Sequence, residues 1–168
     1  LAFVQAQAIK HPFLLYTPQR IQQVKQRMQH EPKLQEAWGD IKKTADEALQ
    51  KKDFNRLDYL SLAYLMTDNK EYADAIKEIL LKAVEAESWG DVEMMARIPA
   101  WRSQLGMAHK SFLSAVGYDA AYNVMSSLER KKIAEGLKRL AVEPALGDCL
   151  LEPTRIHSLN SMGHNCWT

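Results

Sequence analysis

The chain has 168 residues, 46% of them apolar and 26% charged, and a formal net charge of +1. That length supports one domain able to bury roughly 70% of its unfolded surface. Basic and acidic residues are interleaved, which leaves no stripe for nucleic acid and no polybasic membrane patch, and no apolar run reaches the about 18 residues of a spanning helix. An acidic substrate stays compatible with near-neutrality, because a local cleft can be basic while the whole is not.

Residues 1–8, Leu-Ala-Phe-Val-Gln-Ala-Gln-Ala, are apolar and end in the small-x-small pattern of Ala6 and Ala8. They are expected to be the remnant of a signal peptide, with 9–168 as the folded part and a periplasmic or secreted location. Thr17 followed by Pro18 predicts a capped helix running to about Gln29. Pro32 opens a second helix, whose stripe is Leu34, Trp38, Ile41, Ala45 and Leu49. Leu57, Leu60, Ala63, Tyr64 and Met66 mark a third. Thr67-Asp68-Asn69 turns the chain into a fourth with Tyr72, Ile76, Ile79, Leu80 and Ala83, and so short a turn makes the two helices antiparallel neighbours.

Trp89 to Pro99 is less regular. Arg102 to Val116 predicts a fifth helix that Gly117 ends or kinks. Tyr118 to Met125 continues as a short helix. Ser126 and Glu129 have the spacing of a capping box and open a sixth helix with Leu128, Ile133, Leu137 and Leu140 inward. From Pro144 onward the pattern breaks, and Gly147, Pro153, Asn160 and Gly163 predict a long loop. No useful strand alternation occurs. The fold class is therefore all-α, built from antiparallel helical hairpins. A closed α/α toroid of about twelve helices, at about 11–12 residues each plus loops, exceeds this chain, so the hairpins are expected to form part of an incomplete one.

Two clusters carry candidate chemistry. The first is Arg155 to Trp167, which gathers His157, Asn160, His164, Asn165 and Trp167 in a loop. Imidazoles and amides can donate to a carboxylate and an indole can stack on a pyranose, which describes an anion-handling, sugar-stacking surface; a polar loop anchored by Trp167 is the alternative. The second is Trp101-Arg102 with His109, Tyr118, Asp119 and Tyr122. Tyr118 and Tyr122 share a helix face and could line a groove as aromatic platforms, though packed aromatics with wet hydroxyls are the commoner outcome of such a pair. His109 reads as a surface or an internally satisfied histidine, and His11 and His30 as solvated ones. Met94-Met95 reads as gap-filling core. Cys149 and Cys166 are too few for a disulfide framework and have no metal-ligand spacing; they read as free or half-buried thiols, with one bridge possible in an oxidising compartment. No phosphate loop, metalloprotease motif or nucleophile elbow is present, and no metal or cofactor is expected.

His11-Pro12-Phe13-Leu14-Leu15 followed by Thr17-Pro18 resembles the opening of heparinase II/III-type polysaccharide lyases and related alginate lyases. Leu62 to Thr67 leading to Tyr72-Ala73 resembles that family too. Gly163-His164-Asn165-Cys166-Trp167 is similar to the toroid segment in which it places an asparagine beside an aromatic. The resemblance spans about residues 10–168 and rests on the order and spacing of these motifs. It implies an N-terminal α/α toroid packed on C-terminal β-sandwich layers, with an active site between them. The missing partners would be the second toroid half and the β-sandwich domain; the substrate would be an acidic polysaccharide of the heparin, heparan sulfate or alginate kind.

The implied reaction is β-elimination. The C5 proton of a uronate is very weakly acidic while the adjacent carboxylate is charged, and donors aimed at that carboxylate stabilise the enolate-like transition state. Asn165 and His164 match that catalytic role. Trp167, His157, Tyr118 and Tyr122 would bind substrate. The general base and acid would lie beyond this sequence. A non-catalytic carbohydrate-binding helical scaffold is one alternative. A glycoside hydrolase on a similar toroid is another, with Asp119 and Glu152 as candidate carboxylates.

Overall fold

The computed structural model describes residues 10–96 and 101–151, and among them every regular element is helical. The elements are α1 (Pro18–Met28), α2 (Pro32–Lys51), α3 (Leu57–Thr67), α4 (Lys70–Ala83), the short α5 (Val92–Met95), α6 (Leu105–Ala121), α7 (Ser127–Leu137) and α8 (Glu143–Leu146). No helix among the described residues is long and apolar enough to cross a membrane. The expected all-α architecture of hairpins is thus the one observed.

The helix starts follow from their caps. Thr17 Oγ1 accepts from the Arg20 amide, with Pro18 in the first turn of α1. Asn69 accepts from the Glu71 amide and starts α4. Ahead of α7, Ser126 Oγ accepts from the Glu129 amide while Glu129 accepts from the Ser126 amide at 2.7 Å, a complete capping box. Those bonds hold the Glu129 carboxyl below its usual range, the Ser126 amide contributing most. Between α3 and α4, Asp68 takes the left-handed conformation at φ 57°, which reverses the chain in two residues and sets the helices antiparallel.

α3 is apolar on nearly every side, and it occupies the middle of the stack accordingly, against α1, α2, α4 and α6. Leu57, Leu60 and Ala63 from α3 meet Tyr72, Ile76 and Leu80 from α4, Leu113 from α6, and Ile133 and Leu140 from the last helical run. Ser61, buried among them, returns its hydroxyl to the Leu57 carbonyl at 2.6 Å, so its own oxygen is satisfied. Tyr72 ties α4 to α2 through a hydrogen bond to Asp46. The Lys42 ammonium, and after it this phenol, hold the Asp46 carboxyl below its usual range.

Three expectations need correction. Gly117 does not end α6; the helix runs through it to Ala121, and a 3₁₀ turn, Tyr122–Val124, follows. A Cβ on Gly117 would lie 3.3 Å from both Ile76 Cγ2 and Leu57 Cδ2, so this glycine permits close helix packing. Leu128 is exposed rather than inward, because it falls in the first turn of α7 on the side away from Ile133. The chain also does not break at Pro144 or Gly147. It stays helical from Ser127 to Leu151, with π-type turns over Lys138–Val142 and Gly147–Leu151. The ladder widens to i→i−5 directly ahead of Pro144, which opens room for a residue without an N–H.

α7 docks closely on the end of α4 at Gly136. A Cβ on Gly136 would sit 2.3 Å from Val84 Cβ. One turn later Arg139 donates to the carbonyls of Val84 (2.9 Å), Ala86 (3.0 Å) and Glu87 (3.0 Å), placing a cation on the C-terminal end of α4. Val84 Cβ is fixed to its backbone and cannot swing aside. Gly136→Ala is therefore expected to lower stability by about 1–3 kcal/mol through overpacking. Gly117→Ala meets only side-chain termini, and a helix-propensity gain of up to about 1 kcal/mol offsets its strain. Urea unfolding of the two variants should show the first clearly weaker than the second.

Candidate functional site

Four of the sequence-predicted site residues, His157, His164, Asn165 and Trp167, lie outside the described residues, as do Asn160, Cys166 and Glu152; for Cys149 only the backbone is described. The structure does describe Tyr118 and Tyr122, and it joins them to a residue that the sequence alone makes look solvated. His11 stacks on Tyr122, ring centroids 3.7 Å apart at 14°, and meets Tyr118 edge-on at 6.5 Å. Tyr118 and Tyr122 are themselves edge-to-face at 5.5 Å, as their spacing on one helix face requires. The reading of His11 as solvated is thus corrected: its side chain is 13% exposed.

The group that draws His11 inward is Asp119. This carboxylate, 3% exposed on α6, accepts from His11 Nδ1 at 2.7 Å, from the Phe13 amide at 3.0 and 3.1 Å, and from the Leu14 amide at 2.8 Å. Asn123 adds a bond from Nδ2 to the His11 carbonyl at 2.9 Å. Ionised carboxylate oxygens only accept, so the proton between His11 and Asp119 belongs to Nδ1. Both oxygens are spent on binding the N-terminal segment, which argues against Asp119 as a glycosidase carboxylate.

The Arg130 guanidinium lies 4.5 Å from the Tyr122 ring centroid. An imidazole at 3.7 Å and a guanidinium at 4.5 Å cannot share one ring face without colliding, so both faces of Tyr122 are covered from within the chain. In this arrangement Tyr122 offers no platform to a sugar. The Tyr118 hydroxyl points to the Arg130 carbonyl at 3.4 Å; burial raises its pKa, and Tyr122 adds to the rise. The two tyrosines belong to a clasp that closes residues 11–14 onto α6.

Trp101 and Arg102 go elsewhere. Asp148, wholly buried, accepts from the amides of Arg102 and Ser103 at 2.7 Å each, from Ser103 Oγ at 2.8 Å and from Arg102 Nη1 at 3.1 Å. Gln104 helps to stitch the irregular stretch, accepting from the Asp91 amide at 2.8 Å and donating to the Trp101 carbonyl at 2.6 Å. His109 is exposed on α6, as its sequence context suggests, and Met94 and Met95 are half-buried.

A feature missed by sequence reasoning is a surface groove of about 620 Å³. Its floor is apolar, with Phe54, Ile79 and Trp89, and its rim carries Lys51, Lys52, Lys82 and Lys110. Trp89 is held by a bond from Nε1 to the Ala83 carbonyl at 3.2 Å and meets Phe54 edge-on at 6.4 Å. These lysines come from α2, the turn after it, α4 and α6, so no linear motif announces them. Among the described residues, no group of three or more His, Cys, Asp or Glu side chains could hold a metal ion. No family model, no curated protein and no solved structure matches the chain.

Two predictions concern the clasp. Asp119→Ala removes a charged acceptor and should cost about 1.5–3 kcal/mol. Amide hydrogen exchange should then show the Phe13 and Leu14 amides losing protection while those of α3 keep theirs. Next along the segment, burial pushes the Tyr16 hydroxyl up to about 12, with the charge of Asp58 and then Tyr59 adding to it. A folded value above the ordinary 10 means that this contribution to stability is complete below pH about 10 and is lost as pH rises through about 12. Ultraviolet titration should show a late phenolate step that Tyr16→Phe abolishes and Asp58→Asn moves to lower pH.

Proposed function

We propose that this chain is the N-terminal helical portion of a polysaccharide lyase that cleaves uronic-acid-containing polysaccharide by β-elimination. The observation that carries this reading is where the lyase-like segments fall. His11 to Leu14 is the strap that Asp119 clasps to α6, Thr17-Pro18 starts α1, and Leu62 to Thr67 with Tyr72-Ala73 makes the central α3–α4 hairpin. The resemblance therefore lies in the residues that build the frame. A second support is the basic rim of the groove on a chain of net charge +1, as an acidic substrate requires. Val142, Leu146 and Leu150, spaced by four and exposed, form an apolar stripe where a further toroid hairpin would pack.

In this reading Asn165 and His164 face the uronate carboxylate and Trp167 stacks on the sugar, with His157 beside them. The work assigned to the amide and imidazole is to stabilise negative charge as C5 loses its proton. Tyr118 and Tyr122 drop out of the substrate-binding set and take a structural role. A helical carbohydrate-binding scaffold remains the competing reading.

The test is the ultraviolet absorbance of unsaturated uronate released from heparin, heparan sulfate, chondroitin and alginate by the full-length protein. Turnover of at least one is expected, and Asn165→Ala should reduce kcat by about 10²–10³-fold, the loss typical of one oxyanion-stabilising donor. His164→Ala should also reduce it, with the melting temperature of both variants unchanged. No product from any of these polymers, or full turnover by both variants, would leave the scaffold reading in possession.

A further inference from the structure

The groove between α2, α4 and α6 combines a basic rim with an apolar floor. Lys51, Lys82 and Lys110 have no ion-pair partner among the described residues, whereas Lys52 is spent on Glu78, the one carboxylate of the lining. The rim thus holds three uncompensated ammonium groups, each from a different helix, above an apolar floor. Outside the groove Lys42, Lys77, Lys131, Lys132 and Lys138 are balanced by Asp46, Asp74, Glu135, Glu85 and Glu143, while lysines unpaired among the described residues, such as Lys33, Lys43 and Lys70, stand on open surface away from the apolar floor. Like charges gathered around an apolar trough raise one another's energy until an anion arrives, and an anion with an apolar body satisfies rim and floor together.

We infer that this groove is a binding subsite for an acidic oligosaccharide, with uronate carboxylates on Lys51, Lys82 and Lys110 and sugar ring faces over Phe54 and Ile79. The inference rests on the lyase reading for its choice of ligand. The volume of about 620 Å³ lies within the usual range of small-molecule sites, about 300–1,000 Å³, and admits more than a single small anion. Lysines suit such a ligand: an ammonium on a flexible stem follows carboxylates whose orientation varies along a chain, where an arginine fork would demand one geometry. Position agrees as well. Lys110 lies in the first half of α6, and Asp148 is bonded to Ser103 just ahead of that helix, three residues before Leu151. The groove and the end of the last helical run thus lie at the same end of α6.

Isothermal titration of the whole chain tests this with size-defined polyuronate oligosaccharides, a neutral oligosaccharide of equal length, and polyglutamate. The polyuronate should bind, the neutral sugar should not, and affinity should fall with added salt. Replacing Lys51, Lys82 and Lys110 together by Ala should weaken binding by about tenfold, while a control triple at the exposed Lys33, Lys43 and Lys70 should change it by less than about twofold. Equal losses in the two triples would reduce the effect to general surface charge and overturn the inference. Tighter binding of polyglutamate than of polyuronate would overturn it in favour of an acidic peptide. If the full-length protein cleaves no polyuronate but the groove still binds it in this pattern, the lyase reading fails and the subsite stands. If cleavage occurs and the groove triple binds like wild type, the subsite alone fails.

Discussion

A buried carboxylate and a stretch of irregular backbone have complementary deficits. The first needs donors to remain ionised away from water; the second carries N–H groups that no helical ladder satisfies. The fold cancels these deficits against each other twice. Asp119, near the end of α6, takes the amides of Phe13 and Leu14, and Asp148, at the end of the last helical run, takes the amides of Arg102 and Ser103. α6 is gripped near both ends as a result, by the N-terminal strap at one and by the last helical run at the other. A neutral amide in place of either carboxylate would aim an N–H₂ group at backbone donors, and an alkyl group would strand them.

Around that gripped helix the packing divides into a rigid side and an open side. Gly136 against Val84, with Arg139 over the carbonyls behind it, locks the last helical run to the end of α4, and Gly117 lets α6 close on α3 and α4. No side chain fits at Gly136, so the relative position of α4 and α7 is set close to the backbone itself, while at Gly117 a larger residue would have to displace the ends of Ile76 and Leu57. The groove lies where this closeness lapses. Between the end of α2 and the faces of α4 and α6 a groove stays open, and lysine side chains line its rim where packed aliphatics would close it.

How much of this was legible in the sequence depends on the range of the interaction. The caps were legible because both partners lie within four residues: Thr17 with Arg20, Ser126 with Glu129. The stripes of α2, α3 and α4 were legible because period 3.6 is a property of one segment. The glycines misled because the same residue serves as a breaker and as a contact, and only the neighbour decides; Gly117 has Leu57 and Ile76 beside it, sixty and forty-one residues earlier in the chain. Pro144 misled because a widened turn, which has no sequence signature, preceded it. The clasp was half legible. Tyr118 and Tyr122 on one face followed from spacing, but their partner His11 is 108 residues from the Asp119 that recruits it, and an isolated histidine near a terminus gives no hint of such a partner. The lysine rim was not legible at all, being drawn from separate elements.

That last point bears on how a nearly neutral chain can recognise a polyanion. At physiological ionic strength the Debye length is about 8 Å, so charges on opposite faces hardly feel one another. Net charge then says little about local potential, and what counts is whether the nearest carboxylates are already committed. In the groove the nearest, Glu78, is committed to Lys52, while the ion pairs Lys42–Asp46 and Lys132–Glu85 neutralise lysines that face elsewhere. Asp46, Asp74, Glu85, Glu129, Glu135 and Glu143 each pair with a lysine outside the groove, so the basic character of the groove is a local property: Lys51, Lys82 and Lys110 stand beside one apolar floor with no ion-pair partner among the described residues.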